Sequence, residues 1–188
     1  MTDERAELAG LLAGPVVDAA VGLLGRRLVS EVGGLHCEVL LTEVEAYGGA
    51  DDPASHAHRG RTLRNTSMFG PPGTLYVYRS YGVHWCLNVV TGAEGEPAAV
   101  LLRGGIPVAG EAEMRRRRGR RDHLTDGPGK LAEALGVTGE HDGSWLLGGG
   151  DVAITGTPAL SGAVVAGPRV GVGRAAERPW RFVVASPV

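Results

Sequence analysis

The sequence predicts a single domain of mixed α+β class, and three observations carry that prediction. With 188 residues, 43% of them hydrophobic, the chain is long enough to bury one real core. Segments that alternate apolar and polar residues at every second position outnumber those with a helical period. The helical segments are short and bounded by glycine or proline, and no stretch repeats another.

The elements follow in chain order. Residues 1–9 are read as a flexible start. Pro15, followed by Val16, Val17, Ala20, Leu23 and Leu24, marks an amphipathic helix with proline in its first turn and a stop at Gly25. Residues 36–47 alternate as a strand, which puts Val39, Leu41, Glu43, Glu45 and Tyr47 on one face and Leu40, Thr42, Val44 and Ala46 on the other. Residues 48–73 are rich in Gly, Asp, Pro, His, Arg and Asn, the composition of a functional loop rather than a plain connection. Residues 75–78 and 83–90 read as a hairpin turning at Tyr81-Gly82, with Trp85, Leu87 and Val89 opposite His84, Cys86 and Asn88. Residues 98–103 form a third apolar strand, and residues 108–121 a helix ending in arginines. Asp126 is the expected N-cap of a short helix that opens on Gly127-Pro128, buries Leu131 and Leu135, and stops at Gly136. Strand-like runs at residues 151–155, 169–172 and 181–184 complete the chain.

The formal charge of −2 argues against a generic polyanion binder, but charge is segregated along the sequence. Residues 1–57 hold 10 acids and 3 bases (net −7), residues 58–130 hold 6 and 12 (net +6), and residues 131–188 hold 5 and 4 (net −1). The middle third is therefore the candidate nucleic-acid face. Nearly all basic charge is arginine, since Lys130 is the only lysine, which together with the Gly, Ala and Val content suits a GC-rich bacterial genome. Two cysteines, Cys37 and Cys86, give neither a disulfide framework nor a zinc-finger spacing. The start Met1-Thr2-Asp3-Glu4-Arg5 has no basic and apolar leader pattern, and no stretch is apolar enough to span a bilayer, so a cytoplasmic protein without membrane association is expected.

Several residue groups are suited to chemistry. Glu43 and Glu45, two apart on a strand, can face one cleft, one kept as a base and the other tuning it; a solvated strand end is the bland alternative. All four tyrosines fall between positions 47 and 81, beside arginines, which suits stacking on a base, although Tyr76 is equally placed to be core. Residues 115–121 hold six arginines that suit either phosphate contacts or a solvated helix face. His56 and His58 with Asp51 and Asp52 make a weak metal pattern, and no metal is expected. Gly70-Pro71-Pro72-Gly73-Thr74 lacks the Gly-Lys-Ser/Thr of a phosphate loop. Gly171-Val172-Gly173-Arg174-Ala175-Ala176 lacks the following strand and acid of a dinucleotide site.

A longer series of motifs runs in order along the chain: Thr42-Glu43-Val44-Glu45-Ala46-Tyr47, Ser55-His56, Arg64-Asn65, Met68-Phe69, Pro72-Gly73 and Tyr76-Val77-Tyr78-Arg79-Ser80-Tyr81-Gly82. It continues through Cys86-Leu87-Asn88, Val100-Leu101-Leu102-Arg103, Gly127-Pro128-Gly129-Lys130-Leu131 and Arg169-Val170-Gly171-Val172-Gly173. Over roughly residues 10–185 the sequence resembles the alkyladenine (3-methyladenine) DNA glycosylases of the mammalian type. The resemblance implies a curved antiparallel sheet flanked by helices, a monomer acting on double-stranded DNA that contains a damaged purine, and no cofactor. It implies that Glu45 is the general base for water, with Arg103 beside it. Tyr47, His56 and Tyr78 become walls of the flipped-base pocket, Asn88 the residue that disfavours normal guanine, and Tyr81 the wedge left in the duplex. Arg61, Arg64 and Lys130 are the expected contacts to the DNA backbone. Val83 stands where the family carries a larger methionine, and His58 and Arg174 occupy variable positions, which leaves open the range among 3-methyladenine, 7-methylguanine, hypoxanthine and etheno-adenine.

Two other readings remain at this stage. Lys130 as an amine nucleophile would make a bifunctional glycosylase-lyase. A non-catalytic nucleic-acid binding module would use the same arginines and tyrosines but has no use for a carboxylate among them.

Overall fold

The computed structural model describes residues 2–186. Its elements in order are α1 (Thr2–Leu12), α2 (Val16–Leu23), β1 (Arg27–Ser30), β2 (Cys37–Tyr47), β3 (Leu75–Ser80), β4 (His84–Thr91), β5 (Ala98–Ala109), α3 (Glu111–Arg118), α4 (Pro128–Leu135), β6 (Val152–Thr155), β7 (Val164–Gly167) and β8 (Arg181–Val184). The strands make one curled sheet in the order β3-β4-β5-β2-β1-β6, entirely antiparallel, with β8 joined to β2 and β7 joined to β8. This is the single α+β domain that the sequence predicts.

β2 organises the sheet. One edge pairs with β5 along its whole length, while the other pairs first with β1 (Arg27↔Leu40 to Ser30↔Cys37) and then with β8 (Glu43↔Val183 to Glu45↔Arg181). The change of partner falls at an irregularity: Leu41 faces Gly105, Glu43 faces Gly104 and Val44 faces Leu102, so Thr42 on β2 and then Arg103 on β5 each bulge out of the ladder. A bulge of this kind bends its strand and reverses the alternation beyond it. The core accordingly takes Val39 and Leu41 before the bulge but Val44 and Ala46 after it.

One face of the sheet is covered by helices. Ala19, Ala20 and Leu23 of α2 and Leu131, Ala132 and Leu135 of α4 pack on Val39, Leu41, Leu75, Leu87, Val89, Val100 and Leu102. The opposite face of β3, β4 and β5 is covered by the long loop after β2, through Ala57, Met68 and Phe69 against Tyr76, Tyr78, Val90 and Ala99. That second, smaller cluster forms one side of a cavity on this face.

The structure corrects several local expectations. The expected flexible start is helix α1, which buries Leu8 and Leu12 and ties Glu7 to Arg26 at 2.7 Å. β5 runs on to Ala109 because residues 105–109 pair with residues 38–41 of β2; α3 therefore starts at Glu111 and ends at Arg118, capped by Gly119 with its left-handed φ of +60°. Pro107 is tolerated there because β4 pairs only with residues 98–101 of β5, leaving that side of the strand without a ladder partner. The α4 N-cap is Gly127 rather than Asp126, whose carboxylate instead takes Lys130 and His123. Residues 169–172 form no strand, and β1 and β7 were not anticipated. No helix among the described residues is long and apolar enough to cross a membrane.

Candidate active site

The bulge at Thr42 creates the site. It corrects the expected common face of Val39, Leu41, Glu43, Glu45 and Tyr47: the first two enter the core, and the last three turn to the other face of the sheet. Arg103, next to the core residue Leu102 on the neighbouring strand β5, projects to the same side.

Glu45 is wholly buried, and donors converge on it from three segments. The Tyr47 hydroxyl donates to Oε2 at 2.8 Å, the Val170 N–H donates to Oε1 at 2.7 Å, and Arg103 Nη1 lies 3.3 Å from Oε2. Arg103 Nε also donates to Glu43 Oε1 at 2.7 Å, and Arg181 Nε donates to the same oxygen at 2.7 Å. Burial alone would raise the Glu43 carboxyl, but the hydrogen bonds from Arg181 and Arg103 outweigh it and hold the group below its usual range. Burial, then the negative Glu45, push the Tyr47 hydroxyl well above its ordinary value, so it stays a donor.

In front of this cluster lies a cavity of about 620 Å³. Tyr47, His56, Tyr78, Asn88 and Arg103 line it, while Glu45 stands one layer behind, screened by Tyr47, Arg103 and Val170. The His56 ring meets Tyr78 edge-on at 4.4 Å between centroids, and Tyr78 stacks on Tyr76 at 5.7 Å. His56 Nδ1 is 3.1 Å from the Tyr76 hydroxyl. Burial, then the charge of Arg64, lower the His56 pKa from 6.5, so this wall is neutral at neutral pH. Tyr76 is 1% exposed, which makes it a support for the wall, and its carbonyl accepts from Asn88 Nδ2 at 3.1 Å. Tyr81 stands at the rim, 95% exposed, on the turn between β3 and β4.

The expected backbone contacts are dispersed. Arg64 lines the cavity and donates to the Arg79 carbonyl at 2.8 Å, and Arg61 lies over the Phe69 ring. Lys130 belongs to an adjoining groove with His84, Arg118, Arg120 and His123, and is paired with Asp126 at 2.9 Å. Within α3, Arg115 pairs with Glu111 and Arg116 and Arg117 with Glu113, while Arg118 reaches Glu133 of α4. His56, His58, Asp51 and Asp52 do not converge: His58 binds the Ala50 carbonyl and Asp52 binds Arg169. Among the described residues no group of three His, Cys, Asp or Glu is arranged to hold a metal.

Sequence reasoning missed the clamp behind the site. Arg169 makes two bonds to Asp52, at 2.5 and 2.8 Å, both side chains being fully buried. Its guanidinium also donates to the Ala46 carbonyl and lies 4.7 Å from the Tyr47 ring centre. The Arg169-Val170-Gly171 segment stood out as a motif, but a strand reading hid its role as a loop that delivers an N–H to Glu45.

Residues 11–187 match the family model described as methylpurine-DNA glycosylase. The chain belongs to that family. Among its relatives, a Rhodopseudomonas palustris protein is 50% identical over 169 residues, covering 89% of this chain and 81% of the relative. A Frankia casuarinae protein is 49% identical over 184 residues (91% and 85%), and one from Streptomyces avermitilis 48% identical over 177 residues (90% and 83%). All three carry the name "Putative 3-methyladenine DNA glycosylase". The chain is thus a DNA glycosylase of the monofunctional, hydrolytic kind, a DNA repair enzyme. Membership overturns neither the α+β reading nor the resemblance drawn from the motifs.

Proposed function

We propose that this glycosylase, acting as a cytoplasmic monomer on double-stranded DNA, flips an alkylated or deaminated purine into the cavity and hydrolyses its N-glycosidic bond. The observation that carries the reading is a buried carboxylate, Glu45, held by Arg103 directly behind an aromatic-walled cavity. As the bond from C1′ to the base lengthens, positive charge grows on the sugar, and a nearby carboxylate stabilises it. Water then replaces the Tyr47 hydroxyl at Oε2, gives its proton to Glu45 and forms the new bond to C1′, while the base leaves with the electrons of the broken bond.

Tyr47, His56 and Tyr78 bind the extruded base by stacking, which suits electron-poor or cationic purines, and a neutral His56 adds no charge repulsion. Asn88 presents a polar group in the cavity that discriminates among purine edges. Tyr81 fills the vacated space and offsets part of the few kcal/mol of unstacking. Arg61, Arg64 and Lys130 hold the backbone. The substrates proposed are 3-methyladenine, 7-methylguanine, hypoxanthine and etheno-adenine. Lys130 as a lyase nucleophile is disfavoured by its ion pair with Asp126 and its place outside the main cavity.

The test uses labelled duplexes with hypoxanthine or etheno-adenine, and methylated DNA, treated with hot alkali after incubation. Cleavage that depends on alkali and vanishes in Glu45→Gln, with duplex binding kept, is the expected outcome. Binding without cleavage on every lesion would instead favour a recognition module.

A further inference from the structure

Arg103 is shared by two carboxylates, and only one of them is next to the proposed reaction centre. Its Nε is taken by Glu43 and its Nη1 by Glu45, while Glu43 takes a second arginine, Arg181, on the same oxygen. The four side chains form an alternating row, Arg181, Glu43, Arg103, Glu45, with two positive and two negative members. They come from three strands: Glu43 and Glu45 from β2, Arg103 from β5 and Arg181 from β8. The row exists because the β2–β5 ladder breaks at Thr42 and Arg103 and β2 then exchanges β1 for β8, which brings Arg181 beside the turned-out carboxylates.

We infer that Glu43 and Arg181 are positioning residues, a relay that fixes Arg103 against Glu45 and balances its charge. The guanidinium is a rigid planar fork, so an acceptor on one edge fixes where the other points, and Glu43 anchors the Nε edge so that Nη1 is presented to Glu45. Arg181 in turn prevents Glu43 from drawing Arg103 entirely to itself. The relay rests on the reading of Glu45 as the base. The other groups facing Glu45 are the Tyr47 hydroxyl from its own strand and the Val170 N–H from the loop, with the Arg169–Asp52 pair behind the Tyr47 ring.

Charge balance gives the relay a signature that mere structural support lacks. Removing Glu43 leaves the row one charge positive, which favours ionised Glu45; removing Arg181 leaves it one charge negative, which disfavours it. The experiment measures single-turnover base release from a hypoxanthine duplex against pH for the full chain and its variants. Glu43→Gln is expected to slow release about tenfold at neutral pH, roughly 1.4 kcal/mol of positioning. Its acid limb should move to lower pH by on the order of half a unit or more. Arg181→Gln should move the limb to higher pH, and Arg181→Lys should return it towards the parent position. Limbs that stay in place, or that move in the same direction in both neutral variants, would overturn the relay. If Glu43→Gln does not fold, the Arg181 pair decides: an unmoved limb in Arg181→Gln, or no recovery in Arg181→Lys, overturns it. Base release retained by Glu45→Gln in the same assay would overturn the base assignment itself, and so separates that failure from failure of the relay alone.

Discussion

Tyr81 occupies the tip of the β3–β4 hairpin with a φ of +49°, a left-handed conformation that carries a steric cost of about 1–2 kcal/mol for a residue with a side chain. Packing of the ring does not repay that cost, since it is almost wholly in solvent at the cavity rim. Strain kept without packing fits the wedge role proposed for Tyr81: a ring already held outward would have little order to gain on binding DNA. Tyr81→Gly removes the strain and the ring together. The expected result is a melting temperature equal to or above that of the parent. Affinity for a lesion duplex should fall about tenfold or more, in line with about 1–3 kcal/mol for a stacked aromatic. Unchanged lesion affinity in an anisotropy titration would count against the wedge role.

At the scale of elements, the bulge in β2 and the charge pattern of α3 matter most. The bulge depends on close approach of β5, for a Cβ on Gly105 would lie 2.3 Å from the Leu40 carbonyl oxygen and 2.4 Å from a Val39 methyl carbon. Backbone cannot yield cheaply, so Gly105→Ala should cost about 2–4 kcal/mol in urea denaturation. Base release should fall with it, because the register that presents Glu43 and Glu45 is disturbed. In α3 the arginines run beside acids of the same helix and of α4, whereas Arg120 lies beyond the helix, exposed, in the groove next to Lys130. Duplex binding measured against salt should therefore keep its slope in Arg115→Ala and lose about one unit of slope in Arg120→Ala.

Across the whole molecule, the Arg169–Asp52 pair is the tie between distant segments. Asp52 also accepts the Gly48 and Ala54 N–H groups, and Arg169 binds the end of β2 through the Ala46 carbonyl. The pair therefore joins the cavity-covering loop, strand β2 and the loop that carries Val170. Taking one member from such a buried pair leaves an uncompensated charge, and Asp52→Ala should destabilise by about 3–5 kcal/mol. Burial raises the Asp52 carboxyl, but the bond to Arg169 and those two N–H groups bring its pKa below 3.8. A lowered folded pKa contributes stability that is complete above 3.8 and is lost as pH falls through the folded value. Urea midpoints measured between neutral and acid pH should show that loss in the parent and a flatter profile in Asp52→Ala.

The sequence by itself determined what depends on local pattern. The strand at residues 37–47, the Tyr81-Gly82 hairpin and the short helix stopped by Gly136 were legible because period and turn residues are written in neighbouring positions. Tyr47, His56, Tyr78, Asn88 and Arg103, which line one cavity, and Glu45 behind them were singled out together through the ordered motifs that carry the family resemblance. Tertiary structure decided what depends on partners far away. Which face Glu43 and Glu45 take is set by the irregularity at Thr42 and Arg103 in the ladder between β2 and β5, and alternation cannot register a break visible only against the facing strand. That Arg118 pairs with Glu133 of α4, and that Arg169 finds Asp52 across 117 positions, follows from long-range ion pairing, to which composition is blind; the pairs of Arg115 with Glu111 and of Arg116 and Arg117 with Glu113 are local helix spacings, already present in neighbouring positions. Helix α1 escaped notice because its order comes from burying Leu8 and Leu12, a contribution that exists only once the rest of the core is there to receive them.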